Sequence, residues 1–87
     1  MNADEIAKIA KGFSNRHRVK ILLALESQPG LNLLSLSEKL KTSFRNASEH
    51  TKKLTAAGLI SKSYQAQHVA HQLTPLGKSV LKFCKKL

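Results

Sequence analysis

Apolar residues recur at helical spacing in the first stretch of the chain. They lie three or four residues apart and are Ile6, Ile9, Ala10 and Phe13. One face of this stretch is therefore apolar, which predicts a short amphipathic helix over about 2–13. Asn2 is the expected cap, and Asp4 and Glu5 fall in the first turn, where the helix dipole favours negative charge.

The next stretch, NRHRVKILLALES, is apolar over more than half of a helix circumference. We therefore expect it to form the central helix of the core, with Ser14 as its N-cap. Its first turn carries Arg16, His17 and Arg18, which the positive end of a helix disfavours by roughly 0.3–1 kcal/mol each. Two interpretations are open: the side chains are solvated and tolerate the cost, or an external phosphate offsets it.

A short extended apolar segment, LNLL at 31–34, leads into the next helical pattern. Ser35 and Glu38 have the spacing of a capping box, in which each side chain satisfies a free backbone N–H at a helix start. This predicts a short helix over about 36–41.

A second helix follows after a turn of three or four residues. Thr42 or Ser43 is its expected cap, and the helix should extend over about 43–57. Gly58 is expected to end it in the left-handed conformation, which glycine adopts without strain. Two short helices at this separation are typical of a helix-turn-helix, here over about 35–57.

The alternation of apolar and polar residues then changes to a period of two. ISKSYQ and HVAHQL predict an antiparallel hairpin within about 59–73, although its turn lacks the usual glycine or Asn-Gly. Thr74 and Pro75 supply a cap and a first-turn proline for a last helix over about 75–87. This order of elements predicts a mainly α fold with a small β-hairpin, a winged helix-turn-helix, as a single domain over 1–87.

Charge adds a partner to this architecture. Fifteen lysines and arginines face five acids, giving a net charge of +10. Every acid lies at or before Glu49, and seven lysines follow it. Such a one-signed field attracts a polyanion, either nucleic acid or an anionic membrane surface, although a basic surface without a partner is also consistent with it.

The sequence also bounds the environment of the protein. No apolar run approaches the roughly 20 residues that a membrane span needs, and the acidic start is unlike a signal peptide. The one cysteine, Cys84, forms no internal disulfide, and we expect it to be a small buried hydrophobic residue. We therefore expect a cytoplasmic protein that does not enter a membrane.

Three stretches resemble the ArsR/MarR-type winged helix-turn-helix transcriptional regulators, most closely the ArsR-like branch. FSNRHRVKILLAL resembles the second helix of that family, LSEKLKTSFRNASEHTKKLTAAGLI its helix-turn-helix, and HQLTPLGKSVL the end of its wing. Together they span most of residues 13–81. The resemblance implies a regulator that binds double-stranded DNA with the 43–57 helix in the major groove and the wing on the backbone.

The sequence departs from the family pattern at three places. Thr51 replaces a large aliphatic residue inside the recognition helix, and Glu49 replaces a basic or neutral polar one. The expected wing tip, Gln65-Ala66-Gln67, lacks the usual arginine or glycine. These departures concern the strength of binding and the role of the wing rather than the fold.

The exposed face of the 43–57 helix carries side chains suited to base edges. Arginine donates bidentately to guanine, asparagine pairs with adenine, and glutamate accepts from cytosine, so we expect Arg45, Asn46 and Glu49 to read bases. An equally open interpretation pairs Glu49 with Lys53 one helical turn later. The opposite face is expected to pack on the core and consists of Phe44, Ala47, Thr51 and Leu54.

Other basic residues are expected to position the duplex. Lys52, Lys53 and Lys62 should touch phosphates, which add affinity without sequence information. His50 either bonds a neighbouring backbone group or contacts DNA. The complete set of candidate DNA contacts is Ser43, Arg45, Asn46, Glu49, His50, Lys52, Lys53, Lys62 and Gln67.

The two terminal helices carry apolar stripes that suggest a homodimer. The candidate dimerisation residues are Ile6, Ile9, Phe13, Leu76, Val80, Phe83, Cys84 and Leu87. Burial against a two-fold partner stabilises by about 25 cal/mol per Å² of apolar surface and sets two recognition helices roughly 34 Å apart. The alternative is that both stripes pack within one subunit.

Catalytic and metal-binding patterns are not found. No nucleophile has a neighbouring base, and there is no glycine-rich phosphate loop, so we do not expect an enzyme or a cofactor. Some ArsR-like proteins sense metals through paired cysteines near the first helix of the motif, but SLSEKL here has no thiol. His68 and His71 lie three apart on a strand and should face opposite sides, so they cannot chelate one ion.

Two other functions compete with DNA binding. The domain could be a protein–protein interaction module of a larger assembly, with a basic face that is incidental or meets an acidic partner. RNA binding is the third possibility. Sparse exposed aromatic residues, of which only Tyr64 is expected, argue against stacking on single-stranded bases.

Overall fold

The computed structural model, which covers residues 1–87, contains five helices and one two-stranded antiparallel sheet. The elements are α1 (Ala3–Phe13), α2 (Arg16–Ser27), α3 (Leu33–Leu40), α4 (Phe44–Ala56), β1 (Ile60–Gln65), β2 (His68–Leu73) and α5 (Pro75–Cys84). This is the winged helix-turn-helix fold that the sequence predicts. None of the helices is long and apolar enough to cross a bilayer.

Every helix begins at a side chain whose oxygen accepts a first-turn backbone N–H. These caps are Asn2, Asn15, Asn32, Ser43 and Thr74. Such a cap typically contributes about 1 kcal/mol, because it satisfies a donor that has no partner inside the helix. The predicted caps at Asn2, Ser43 and Thr74 are confirmed.

The predicted cap of the second helix is wrong by one residue. Asn15, not Ser14, caps α2, and its Oδ1 accepts from the backbone N–H groups of His17 at 2.9 Å and Arg18 at 3.3 Å. Ser14 is instead the C-cap of α1 and is exposed. Asparagine and serine are comparable caps, so composition alone did not separate two adjacent candidates.

The start of the third helix is also earlier than predicted. Asn32 caps α3, its Oδ1 accepting from the backbone N–H of Ser35 at 2.9 Å. The predicted capping box at Ser35 and Glu38 therefore lies inside the helix. Helix α3 buries both Leu36 and Leu40, one turn apart, in the core.

The core is built around α2, as the sequence predicts. Its fully buried side chains come from α2, α3, α4, α5 and the start of the wing, and they are Ile21, Leu22, Leu25, Leu36, Leu54, Leu59, Ile60 and Leu81. Of the segment LNLL, only Leu31 and Asn32 precede α3, which begins at Leu33. The backbone oxygen of Leu31 accepts from the backbone N–H of His71 in the wing at 3.1 Å. Two helices of a helix-turn-helix and the wing thus share one core.

Gly58 ends α4 in the left-handed conformation, with φ of 77°. This confirms the predicted helix stop, which turns the chain back so that Leu59 and Ile60 enter the core. The hairpin that follows pairs Ile60 with Leu73 through to Gln65 with His68. Its two-residue turn takes the left-handed conformation at Ala66, with φ of 55°, in place of the usual glycine.

Candidate nucleic-acid interface

Helix α4 has one buried and one exposed face, and the prediction is correct for all but one residue. Ala47, Thr51 and Leu54 are buried, as expected. Phe44 is instead 55% exposed. It is the first residue of α4 and lies beside the wing rather than over the core, so helical spacing alone placed it wrongly.

The three predicted base readers are all exposed on α4. The side chain of Asn46 is oriented by its own helix start, because its Nδ2 donates to Thr42 Oγ1 at 3.2 Å. Ser43 Oγ accepts from the backbone N–H of Asn46 at 3.1 Å, so this hydroxyl already serves as the cap. Its own proton remains available to donate to an external acceptor.

Glu49 forms no ion pair with Lys53. The alternative in which Glu49 serves only to pair with Lys53 one helical turn later is therefore not observed. The one ion pair in the protein joins Lys85, the residue that follows α5, to Glu26 of α2. Arg45 and Glu49 therefore present unpaired charges of opposite sign on the same exposed helical face.

A cleft of about 340 Å³ separates α4 from the wing, and the start of α3 closes one end. Lys52 of α4 and Lys62 of β1 both line it, together with Phe44 and Tyr64. Tyr64 is 81% exposed, as the sequence predicts, but it is not the single exposed aromatic residue that was expected, because Phe44 and Phe83 are exposed as well. The fold thus brings together two lysines that are ten positions apart in the chain. Gln67, the last predicted contact, lies away from this cleft in the exposed turn of the wing.

His50 lies on the flank of α4 against the start of α2. Its ring centroid is 5.4 Å from that of His17, and the Nδ1 atoms of both rings are buried without a hydrogen-bond partner. Burial is the largest cause that lowers the pKa of His50, followed by the nearby charges of Arg18, His17 and Lys53, while Glu49 opposes them. Of the two expected roles of His50, the bond from its buried Nδ1 to a neighbouring backbone group is not formed. The lowered pKa means that His50 favours its neutral form.

Arg18 has a structural partner that sequence reasoning missed. Its Nη1 donates to the backbone oxygens of Lys11 at 2.9 Å and Gly12 at 3.2 Å, which are near the end of α1. A cation at a helix C-terminus is favourable. The cost of this charge in the first turn of α2 is therefore offset within the chain, at the end of α1. Arg16, two residues earlier, is exposed. An arginine shortly after a helix end was the available signal.

The predicted dimerisation residues separate into two groups. Ile9, Phe13, Leu76 and Val80 are partly buried and pack against the core of their own chain. Ile6, Phe83 and Leu87 are 55%, 61% and 87% exposed. Cys84 is half-buried rather than fully buried. The stripes are therefore partly used within the subunit, and their outer members remain uncovered.

The two wing histidines lie as predicted. His71 is buried, and its Nδ1 lies 2.9 Å from the backbone oxygen of Leu31, whereas His68 is exposed near the turn. They face opposite sides of β2 and do not form a shared site.

The fold and its exposed basic helix define a winged-helix protein of the nucleic-acid-binding class. A family described as winged helix-turn-helix DNA-binding matches residues 14–61, which span α2, the helix-turn-helix and the start of the wing. The chain belongs to this winged helix-turn-helix DNA-binding family. A search of curated proteins finds no match.

Solved structures with the same fold include several regulators. A transcriptional regulator, HlyU of Vibrio vulnificus, is 28% identical, with a TM-score of 0.80 over 98% of this chain and 88% of that one. The homodimeric winged helix-turn-helix domain of Mb0332 from Mycobacterium bovis, a possible ArsR-family regulator, is 17% identical with a TM-score of 0.85, over 94% and 76%. MepR of S. aureus, in complex with DNA, is 17% identical with a TM-score of 0.80, over 95% and 72%.

Proposed function

We propose that this protein is a homodimeric transcriptional regulator that binds double-stranded DNA in a sequence-specific manner. Helix α4 enters the major groove, and the wing lies on the adjacent backbone. The observation that carries the proposal is the exposed face of α4 in a chain of net charge +10. Arg45, Asn46 and Glu49 are all exposed there, and neither Arg45 nor Glu49 forms an ion pair.

The chemistry of this face separates two tasks. Arg45, Asn46 and Glu49 offer bidentate donors, an amide and an acceptor, which together match three different base edges. Lys52 and Lys62 border the cleft between α4 and the wing, where they would meet phosphates on one side of the groove. Glu49 weakens binding to phosphate, so its place on this face supports base reading rather than general affinity.

Support for a dimer comes from the uncovered apolar side chains of the terminal segments. Ile6 on α1 and Phe83 on α5 are exposed, as is Leu87 at the chain end. A cleft of about 520 Å³ lies between α1, the start of α2 and the chain end, and Leu87 lines it. The Mb0332 domain of the same fold is homodimeric. A two-fold partner would cover these side chains and place two copies of α4 on one face of a duplex.

The cleft beside the wing also favours a second candidate function. Phe44, Tyr64 and Leu34 are exposed large side chains around it, which is a composition that protein partners use. A protein-interaction module would bind through this cleft without needing duplex DNA.

A selection from random duplexes, followed by titration of an enriched and a scrambled duplex, tests the proposal. We expect enrichment of one sequence and tighter binding of that sequence than of the scrambled control. A protein that binds neither duplex, even at low salt, would instead support the interaction module.

A further inference from the structure

A second basic surface lies beside the C-terminal half of the recognition helix and away from the wing, and it shares Lys53 with the predicted DNA contacts. A cleft of about 360 Å³ is bordered by α1, the start of α2 and the C-terminal half of α4. All of its charged lining residues are cationic, and they are Lys8, Lys11, Arg18 and Lys53. Three separate elements thus direct positive charge to one concave surface.

Close backbone packing builds this cleft. A Cβ atom at Gly12 would collide with the Cβ of Ala57, so glycine allows the end of α1 to approach the end of α4. The guanidinium of Arg18 is held in place by the backbone oxygens of Lys11 and Gly12. One cation of the cleft is therefore fixed, and the packing of α1 on α4 holds the lysine backbones around it.

The charge in the cleft has no counterion within the protein. None of its four cations takes part in the single ion pair, which joins Lys85 to Glu26. Two of these cations also act on the neighbouring His50. Burial is the largest cause that lowers the pKa of His50, and the charges of Arg18 and Lys53 lower it further. Like charges brought together in this way repel one another, and a bound anion would remove that repulsion.

We propose that this cleft binds a phosphate group through Lys8, Lys11, Arg18 and Lys53. The phosphate can belong to the DNA backbone beside the α4 site, in which case the inference rests on the proposed function. It can also belong to a free polyphosphate compound, which would then bind independently of DNA. Lysine ammonium groups and an arginine guanidinium are the side chains that recognise phosphate oxygens in either source.

The test uses two lysines that are not among the proposed contacts of α4 and the wing. The test variant is Lys8→Gln/Lys11→Gln, and the matched control is Lys82→Gln/Lys86→Gln, which removes the same charge from the exposed side of the last helical segment. Calorimetric titration with sodium tripolyphosphate at low salt measures the site directly. We expect the test variant to bind about tenfold more weakly than the wild type and the control to stay within about twofold.

A second readout follows His50 by NMR. Tripolyphosphate should raise the pKa of His50 in the wild type, since the anion offsets the charges of Arg18 and Lys53, and the rise should be smaller in the test variant. Test and control variants that bind tripolyphosphate equally well, with the same His50 response, would overturn the proposal.

Duplex binding identifies the source of the phosphate. If the DNA backbone occupies the cleft, the slope of log affinity against log salt should become shallower by up to about four in the test variant, because two contacts are lost in each subunit of the dimer, and stay unchanged in the control. An unchanged slope together with lost tripolyphosphate binding assigns the cleft to a free polyphosphate. A wild type that binds no duplex refutes the proposed function, while the tripolyphosphate titration still decides whether the cleft is a site.

Discussion

Replacement of Arg18 by methionine tests how the end of α1 is attached to the start of α2. Methionine keeps an unbranched apolar stem but lacks the guanidinium, so it removes both hydrogen bonds to the backbone oxygens of Lys11 and Gly12. A hydrogen bond from a charged donor contributes about 1.5–3 kcal/mol when it is well shielded. The bond to Lys11 is exposed and the bond to Gly12 only partly buried, so each should contribute less.

The helix dipoles change this value little. Arg18 gains at the C-terminus of α1 what it loses in the first turn of α2, because each effect is about 0.3–1 kcal/mol and they have opposite signs. We therefore expect Arg18→Met to lower the free energy of unfolding by about 1–2 kcal/mol, which lowers the Tm of a chain of this size by roughly 5–15 °C.

Urea denaturation followed by circular dichroism at neutral pH measures this change. Arg16→Met is the matched control, because Arg16 lies in the same turn, is exposed and makes no hydrogen bond to α1. It should leave stability unchanged or slightly raised, since it removes a charge that the dipole disfavours. If Arg18→Met destabilises no more than Arg16→Met, the attachment of α1 by Arg18 contributes nothing measurable and the reasoning fails.

Three further predictions concern pH, base reading and assembly. The pKa of His50 in the folded protein lies below its usual 6.5, so as pH falls the unfolded chain binds a proton at His50 before the folded chain does. His50 should therefore not affect stability at higher pH, and the free energy of unfolding should fall as pH drops from about 6.5 towards the folded pKa. Thermal unfolding between pH 5 and 8 checks this, and His50→Gln should reduce the dependence; an unchanged pH profile in His50→Gln would contradict it. Arg45→Ala should cost on the order of 1–3 kcal/mol per half-site on the preferred duplex and relax base preference. Lys62→Ala should weaken all duplexes alike and make the salt slope shallower by about one per subunit, or about two for the dimer. Competition binding with point-substituted duplexes separates them, and the reverse pattern would mean that the wrong element had been placed in the groove. Phe83→Glu should give a folded monomer with weakened DNA binding, because a charge replaces an exposed apolar side chain at the proposed dimer contact. Sedimentation equilibrium measures the association state of the wild type and the variant. A wild type that is monomeric at micromolar concentration would refute the dimer.

The sequence predicted the order of elements well because several boundaries have a local chemical cause. The end of the last helix was predicted wrongly, since α5 ends at Cys84 and not at 87. Gly58 ends α4, and Thr74 with Pro75 starts α5. Each of these residues lies within a few positions of the apolar repeat of its helix. Both strands have the predicted bounds, since alternation of period two changes abruptly at each end. The caps of α2 and α3 were predicted wrongly, where two good capping residues stood near each other.

Features that depend on distant contacts could not be predicted in this way. Helical spacing placed Phe44 on the core face of α4, but the core ends before that first turn. The same limit applies to the terminal stripes, whose inner members, such as Ile9 and Val80, pack on their own subunit. The cation cleft was also missed, because α1, α2 and α4 meet there only in three dimensions.

The most direct test of the central claim is the salt dependence of binding to a duplex selected from a random pool. For a dimer with a few phosphate contacts per subunit, we predict a slope of log affinity against log salt of roughly −4 to −8. The selected sequence should contain two related half-sites about one helical turn apart. A slope near zero, or a selection that enriches no sequence, would contradict DNA recognition by α4 and the wing.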